Sequence, residues 1–352
     1  MNGEDSKETL EDILTTGRKR VEVTEGELDT AKERRDDVGA ALKKAFPGSR
    51  VYVNGSVAHG DALTPLTDVD VGVVVPDPDG EYGPGKKGPT SLMAKAARVL
   101  REELRPKYGE LRVEHEGRKR SILIRFNEPV SDRADDFTAD VIVAIDNPDA
   151  AGLFIPRYTG WDRADPEAHT RMVQKAIKDT KVSYAHVVRL LKRWNRAHGK
   201  PLCSWNIKAL SLACITAPTT QLQGLLTWFN HAISELEKGE TTDPAGVAPK
   251  PIKVNEDMTL KQVVQVLKDA REVLKEAFAF EQDGYDVLAA DALARFFSDA
   301  VMLARQDQGA VRRQTAERFT KRQGVGVPAV GVGVGVGAGA ERERVNAASW
   351  AP

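Results

Sequence analysis

The run GSVAHGDALTPLTDVDVGVVV, residues 55–75, decides how the rest of the chain is read. Gly55-Ser56 opens it, eleven residues intervene, and Asp68-Val69-Asp70 leads into an apolar stretch that ends at Val75. Near-continuous apolar content of this length is the pattern of a strand covered on both faces. Side chains two apart on a strand share a face, so Asp68 and Asp70 stand side by side while Val69 and Val71 enter the opposite layer. Two carboxylates so placed repel each other and lose hydration. A divalent cation between them removes that cost, and hard oxygen ligands with positions left for water and phosphate suit magnesium.

A second strand pattern, Asp140-Val141-Ile142-Val143-Ala144, begins with another carboxylate and is expected beside the first. Three carboxylates can hold two metal ions roughly 4 Å apart, one lowering the pKa of an attacking hydroxyl and the other gripping a triphosphate. Gly55 would let the backbone approach phosphates, and the Ser56 hydroxyl can donate to a phosphate oxygen. An Asp-x-Asp at a strand entry also occurs as a plain solvated turn. Here the Gly-Ser turn, its spacing, the strand and the third carboxylate agree on chemistry.

Outward from this centre, a short helix is expected at Leu10 to Lys19. A longer one runs from about Gly26 to Phe46, with Leu28, Ala31, Val38, Leu42 and Phe46 on its core-facing side, stopped by Pro47-Gly48-Ser49. Arg50 to Val53 reads as a strand, residues 76–89 as a Pro/Gly-rich loop and Ser91 to Leu104 as a helix. Glu110 to His115 and Ser121 to Phe126 read as paired strands, and Ala139 to Ile145 as the next strand. From Pro166 to Phe319 the signal is helical. Residues 1–165 are therefore expected as a mixed α/β core, 166–322 as a helical domain, and 323–352, which alternates Gly and Val, as a flexible tail.

The 51 Lys+Arg and 52 Asp+Glu nearly cancel to a net charge of −1, which argues against a protein that coats long nucleic acid. A nucleotide needs only a locally basic pocket. Cys203 and Cys214 share one helical stretch too far apart to bond and lack zinc spacing. The six histidines show no ligand spacing, and Asp61, Asp146 and Asp149 read as loop or strand-end carboxylates. No apolar run is long enough for a membrane span, and the acidic start lacks a signal-peptide core, so a cytoplasmic, reduced protein is expected. Gly83 to Gly88 formally matches GxGxxG, but its prolines make a mobile loop near the site the better expectation than a dinucleotide turn. Arg118-Lys119-Arg120 reads as a solvated hairpin turn or as a contact for substrate phosphates.

Gly55-Ser56 with Asp68-Val69-Asp70 and then Asp140 resembles the DNA-polymerase-β-type nucleotidyltransferase superfamily. Two further stretches resemble its cyclic GMP–AMP synthase and oligoadenylate synthase branch, with bacterial (DncV-like) relatives that make cyclic oligonucleotide signals against phage. In Val187 to Trp194, Val187, Leu190, Leu191 and Trp194 take the core side while Arg189, Lys192 and Arg196 share the other. The resemblance gives Lys192 the donor triphosphate. In Leu202 to Lys208 it gives Ser204 a phosphate contact and Trp205 a stacked base, with Lys208 one turn further along.

The resemblance implies an α+β fold, a mixed-sheet polymerase-β-like core plus an oligoadenylate-synthase-like helical domain. It implies catalytic and metal-binding roles for Asp68, Asp70 and Asp140, and substrate contacts from Gly55, Ser56, Lys192, Ser204, Trp205 and Lys208. The cofactor would be two Mg2+ ions, with Mn2+ as a substitute. The substrates would be nucleoside triphosphates, either ATP and GTP or pyrimidine nucleotides. The cysteine/histidine zinc insert of animal members is missing from this sequence, which puts direct DNA sensing in doubt and points to control by a partner protein, possible through the tail. The alternatives are a template-independent RNA-end transferase of the CCA-adding or poly(A) type, and a catalytically idle nucleotide-binding scaffold.

Overall fold

A computed structural model describes residues 8–322 of the chain. Two helices precede the sheet: α1 (Leu10–Arg20) and α2 (Glu25–Ala45), each opened by a capping box, from Thr9 and Thr24 respectively. Along α2 the expected Ala31, Val38 and Leu42 are buried, but Leu28 is only half-buried and Glu27 takes the buried position beside it. The reason is polar. Glu27 closes the capping box and also accepts hydrogen bonds from Thr64 Oγ1 (2.8 Å) and Leu66 N (3.2 Å), anchoring the segment that leads to Asp68. These donors outweigh burial and hold its carboxyl down at about 2.

The sheet contains β1 (Arg50–Asn54), β2 (Asp68–Val75), β3 (Arg112–Glu114), β4 (Ile122–Arg125), β5 (Thr138–Asp146), β6 (Leu153–Arg157) and β7 (Gly160–Ala164). Its order is β1-β2-β5-β4-β3, with β6 joining β5 beyond the β4 pairing and β7 pairing β6. Among the described strands only β2 and β5 pair in parallel; the other pairs are antiparallel. Alternation sends Val69, Val71 and Val73 of β2 and Ala139, Val141 and Val143 of β5 to one face. There they pack under α2 and α4 (Thr90–Leu104). Tyr52, Val74, Ala144, Leu153 and Ile155 fill a smaller core on the other face. The β6–β7 hairpin has no counterpart among the expected elements. It holds the 76–89 loop, with Trp161 Nε1 donating to Tyr82 O at 2.7 Å.

A one-turn helix, α3 (Gly55–Ala58), takes the place of the expected Gly-Ser turn. The second half is helical as expected: α5 (Pro166–Asp179), α6 (Ser183–Ala197), α7 (Ser204–Cys214), α8 (Gln221–Lys238), α9 (Leu260–Gln282), α10 (Asp286–Phe297) and α11 (Gln308–Arg322). Trp194, Trp228, Phe229 and Phe296 meet at ring separations of 5.0–6.2 Å in its core. Leu10 and Leu14 of α1 belong to that same core although they open the chain. The Gly/Val tail and the docking role considered for it lie outside the described residues.

Candidate active site

The register of the sheet assembles the acidic end. Asp70 on β2 lies directly opposite Asp140 on β5, and Asp68 lies opposite Thr138. Parallel partners in register face the same side, so all three carboxylates project from one face beyond the core. On the other side of β2, Asn54 pairs with Asp70, so the chain leaves β1 at Gly55 immediately beside the Asp70 carboxylate. A Cβ on Gly55 would come 1.7 Å from Asp70 Oδ2, and φ there is +76°. Glycine is required twice over, for space and for the left-handed backbone.

Asp70 has no hydrogen-bond or ion-pair partner among the described residues. Burial first, then repulsion from Asp68 and Asp140, pushes its pKa up to about 6. A carboxylate so situated fits a divalent cation, with Asp68 beside it as a second oxygen donor. Asp140 is set slightly apart: its Oδ1 accepts from Ser121 Oγ (2.6 Å) and from Arg118 NH2 (3.3 Å). Among the described residues no three His, Cys, Asp or Glu side chains converge as a metal-binding group.

Facing these carboxylates is the helical half. A cavity of about 260 Å³ is lined by Gly55, Ser56, Asp68, Asp70, Lys192, Ser204, Trp205 and Lys208, together with Asn54, His59, His169 and Arg196. Eight of the nine residues singled out from sequence therefore meet around one space, and Asp140 stands on the neighbouring strand. Asn195 sets the entry to α7 by pairing with Leu202 through both amide atoms, at 2.8 and 3.1 Å, which brings Ser204 and Trp205 to the cavity.

Three expectations meet the structure here. Arg189 and Lys192, set opposite the core-facing side of their helix, are nonetheless buried at 8% and 5% exposure, and only Arg196 of that stripe is exposed. Asp61 is no ordinary loop carboxylate. It is fully buried, with Oδ1 2.7 Å from Lys192 Nζ and Oδ2 2.9 Å from Lys208 Nζ. Burial would raise its pKa, but Lys208 and Lys192 outweigh that and hold it below the usual carboxylate range. The glycine-rich 83–88 loop lines neither cavity of the cleft.

Lys208 also donates to His59 Nδ1 at 2.7 Å. An ammonium only donates, so His59 must carry its proton on Nε2, which lies 3.1 Å from Thr170 Oγ1. Burial and the neighbouring Lys208 pull the His59 pKa down to about 3, keeping the ring neutral.

Beyond the first cavity a wider one of about 890 Å³ continues the cleft. Lys119, Arg120, Arg163, Lys250 and Lys253 line it, so the basic turn at 118–120 faces the cleft. Of its members Arg118 pairs with Asp140 and Arg120 with Asp162. His169 lines both cavities and was not singled out from sequence. Its ring lies 4.1 Å from that of Trp205, and Nε2 bonds Asp243 at 2.7 Å. A lone histidine on an amphipathic helix carries no sequence signal of such a role; Arg196 did, four residues after Lys192 on one helical stripe.

Residues 36–144 match the nucleotidyltransferase domain family. No curated protein sequence matches the chain. Similar solved structures include the following three. The structure of E. coli MS115-1 CdnC with ATP has 16% identity and a TM-score of 0.59, covering 84% of this chain and 99% of that one. Vibrio cholerae DncV cyclic AMP-GMP synthase, solved with the linear intermediate 5′ pppA(3′,5′)pG, has 13% identity and a TM-score of 0.63, covering 82% and 95%. The STING-associated CdnE c-di-GMP synthase from Capnocytophaga granulosa has 16% identity and a TM-score of 0.56, covering 77% and 89%. The chain thus contains a nucleotidyltransferase domain, set in an α+β fold shared with CdnC, DncV and CdnE.

Proposed function

We propose that the chain condenses nucleoside triphosphates into a cyclic or short linear oligonucleotide with release of pyrophosphate, as a signal in bacterial antiphage defence. One observation carries this: two carboxylates at a strand end face Ser56, Lys192, Ser204, Trp205 and Lys208 across a single cavity. Acidic oxygen donors on one wall and ammonium groups with an aromatic on the other suit a metal-bound triphosphate and its base.

Asp68 and Asp70, with Asp140 from the next strand, would hold divalent cations, Mg2+ or Mn2+. When bound, these supply the charge that eases deprotonation of a hydroxyl and neutralises the triphosphate. Lys192, Lys208, Ser56 and Ser204 bind phosphate oxygens. Trp205 stacks on a base, worth roughly 1–3 kcal/mol, while His169 braces its ring. Asp140, steered by Ser121, orients or deprotonates the ribose hydroxyl; the hydroxyl oxygen bonds to the α-phosphorus as the bond to pyrophosphate breaks. The likeness to CdnC, which has been solved as a CdnC:HORMA-deltaN complex, supports a protein partner as the control.

The purified protein is incubated with all four triphosphates and Mg2+ or Mn2+, products are identified by mass spectrometry, and pyrophosphate is measured. Wild type yields oligonucleotide and pyrophosphate, and Asp68→Asn with Asp70→Asn yields neither while remaining folded. Equal turnover by both proteins overturns the proposal. Extension of added tRNA in place of free oligonucleotide assigns an RNA-end transferase instead.

A further inference from the structure

Between the Gly-Ser pair and the acidic strand, the chain buries a carboxylate that solvent does not reach. Asp61 is 0% exposed and sits where the 59–64 segment meets α6 and α7. Lys192 Nζ donates to Asp61 O at 2.9 Å and to Oδ1 at 2.7 Å. Lys208 Nζ pairs with Oδ2 at 2.9 Å and donates to His59 Nδ1. Arg189 secures the same segment from α6, donating to Gly60 O (2.7 Å) and Ala62 O (3.2 Å).

An ammonium has three N–H donors. Two of Lys192's are taken by Asp61, which leaves one. Lys208 engages Asp61 and His59, which leaves at least one more. Both lysines line the cavity that also holds Asp68 and Asp70. A lysine stem is flexible and its free ammonium samples many positions; here one buried carboxylate clamps two of them with donors left over.

We propose that Asp61 is a positioning residue that presents Lys192 and Lys208 to the triphosphate. Its role presupposes the triphosphate reading of the cavity. Asp61 itself touches no substrate; it acts through the two ammonium groups. The sign of its effect separates this role from simple electrostatics. Were Asp61 only a negative charge near the site, neutralising it would strengthen anion binding. As a clamp, its loss leaves two buried ammonium groups without a counter-charge, and they swing away or lose their protons. Anion binding then weakens.

The test compares the dissociation constants of α,β-methylene nucleoside triphosphates and the matching monophosphates, with Mg2+, for wild type and Asp61→Asn. The expected result is that wild type prefers the triphosphate and that Asp61→Asn loses roughly ten- to a hundredfold of that preference, the scale of one charge-assisted contact. An unchanged or increased preference, or equal weakening of both ligands, overturns the role of Asp61. A wild type that does not prefer the triphosphate overturns the functional reading instead. If Asp61→Asn fails to fold, Asp61→Glu is used, which keeps the charge but moves the carboxylate by one methylene. Folded Asp61→Glu with the wild-type preference also overturns the proposal.

Discussion

Asp61 and Asp70 belong to neighbouring segments, the first fully buried and the second half-buried at the cavity, and their surroundings are opposite. Asp61 is met by two ammonium groups and held below the ordinary carboxylate range. Asp70 has no hydrogen-bonding partner among the described residues, faces two other carboxylates, and is pushed up to about 6. The first is a charge-matched contact that joins the sheet half to the helical half. The second is an unfinished one, stable only with a proton or a cation from outside. Burial alone therefore says little about a carboxylate; what matters is whether the fold supplies its counter-charge.

The comparison breaks most sharply under parallel neutralising substitutions. Asp70→Asn is expected to cut pyrophosphate release by about a hundred- to a thousandfold, the scale seen when charge stabilisation of a transition state is removed. It should nevertheless raise the melting temperature of the metal-free protein. The sign follows from linkage. Asp70 has a raised folded-state pKa, so between 3.8 and about 6 the unfolded chain releases its proton first. Stability from this group is therefore lost as pH rises through that window, and the penalty is full above it. The asparagine variant should gain almost nothing at pH 3.5 and about 1 kcal/mol or more at pH 7.5, some 1–2 °C. Calorimetry in EDTA at the two pH values checks this; a variant less stable than wild type at pH 7.5 would contradict the account of Asp70.

Asp61→Asn should move stability the other way, by about 3–5 kcal/mol, because it strips the partner from two buried cations. Chemical denaturation reads the change, and a stabilised Asp61→Asn would erase the contrast. The smallest effect concerns the wall opposite the carboxylates. Trp205→Leu is expected to raise the KM for the triphosphate about ten- to a hundredfold, the worth of one stacked base, with kcat within a few-fold of wild type. Steady-state kinetics at saturating metal separates the two constants, and a fall in kcat with unchanged KM would remove Trp205 from the base site.

Much of this site was legible because its signals are local. Asp68 and Asp70 share a strand face by period alone, and the apolar run after them marks a central strand. The Lys192 and Ser204-Trp205 stretches were found through resemblance, and they do line the same cavity as the acids. Local periodicity failed where polar groups were buried. It set Lys192 and Arg189 opposite the core-facing side, since a helical wheel cannot see a carboxylate arriving from another element. It left β6 and β7 unread because Gly160-Trp161-Asp162-Arg163-Ala164 pairs without alternating cleanly between apolar and polar.

By itself the sequence determined the pieces: a strand with two acids on one face, a Gly-Ser pair at a fixed spacing before it, and amphipathic helices after it. Those follow from periods of two and 3.6 residues, which belong to the backbone. Tertiary structure alone decided that Asp140 stands across from Asp70, that Gly55 must yield its Cβ to the Asp70 carboxylate, and that Asp61 meets Lys192 and Lys208. Each of these joins residues far apart in the chain, and electrostatic pairing acts through space, where sequence spacing has no say.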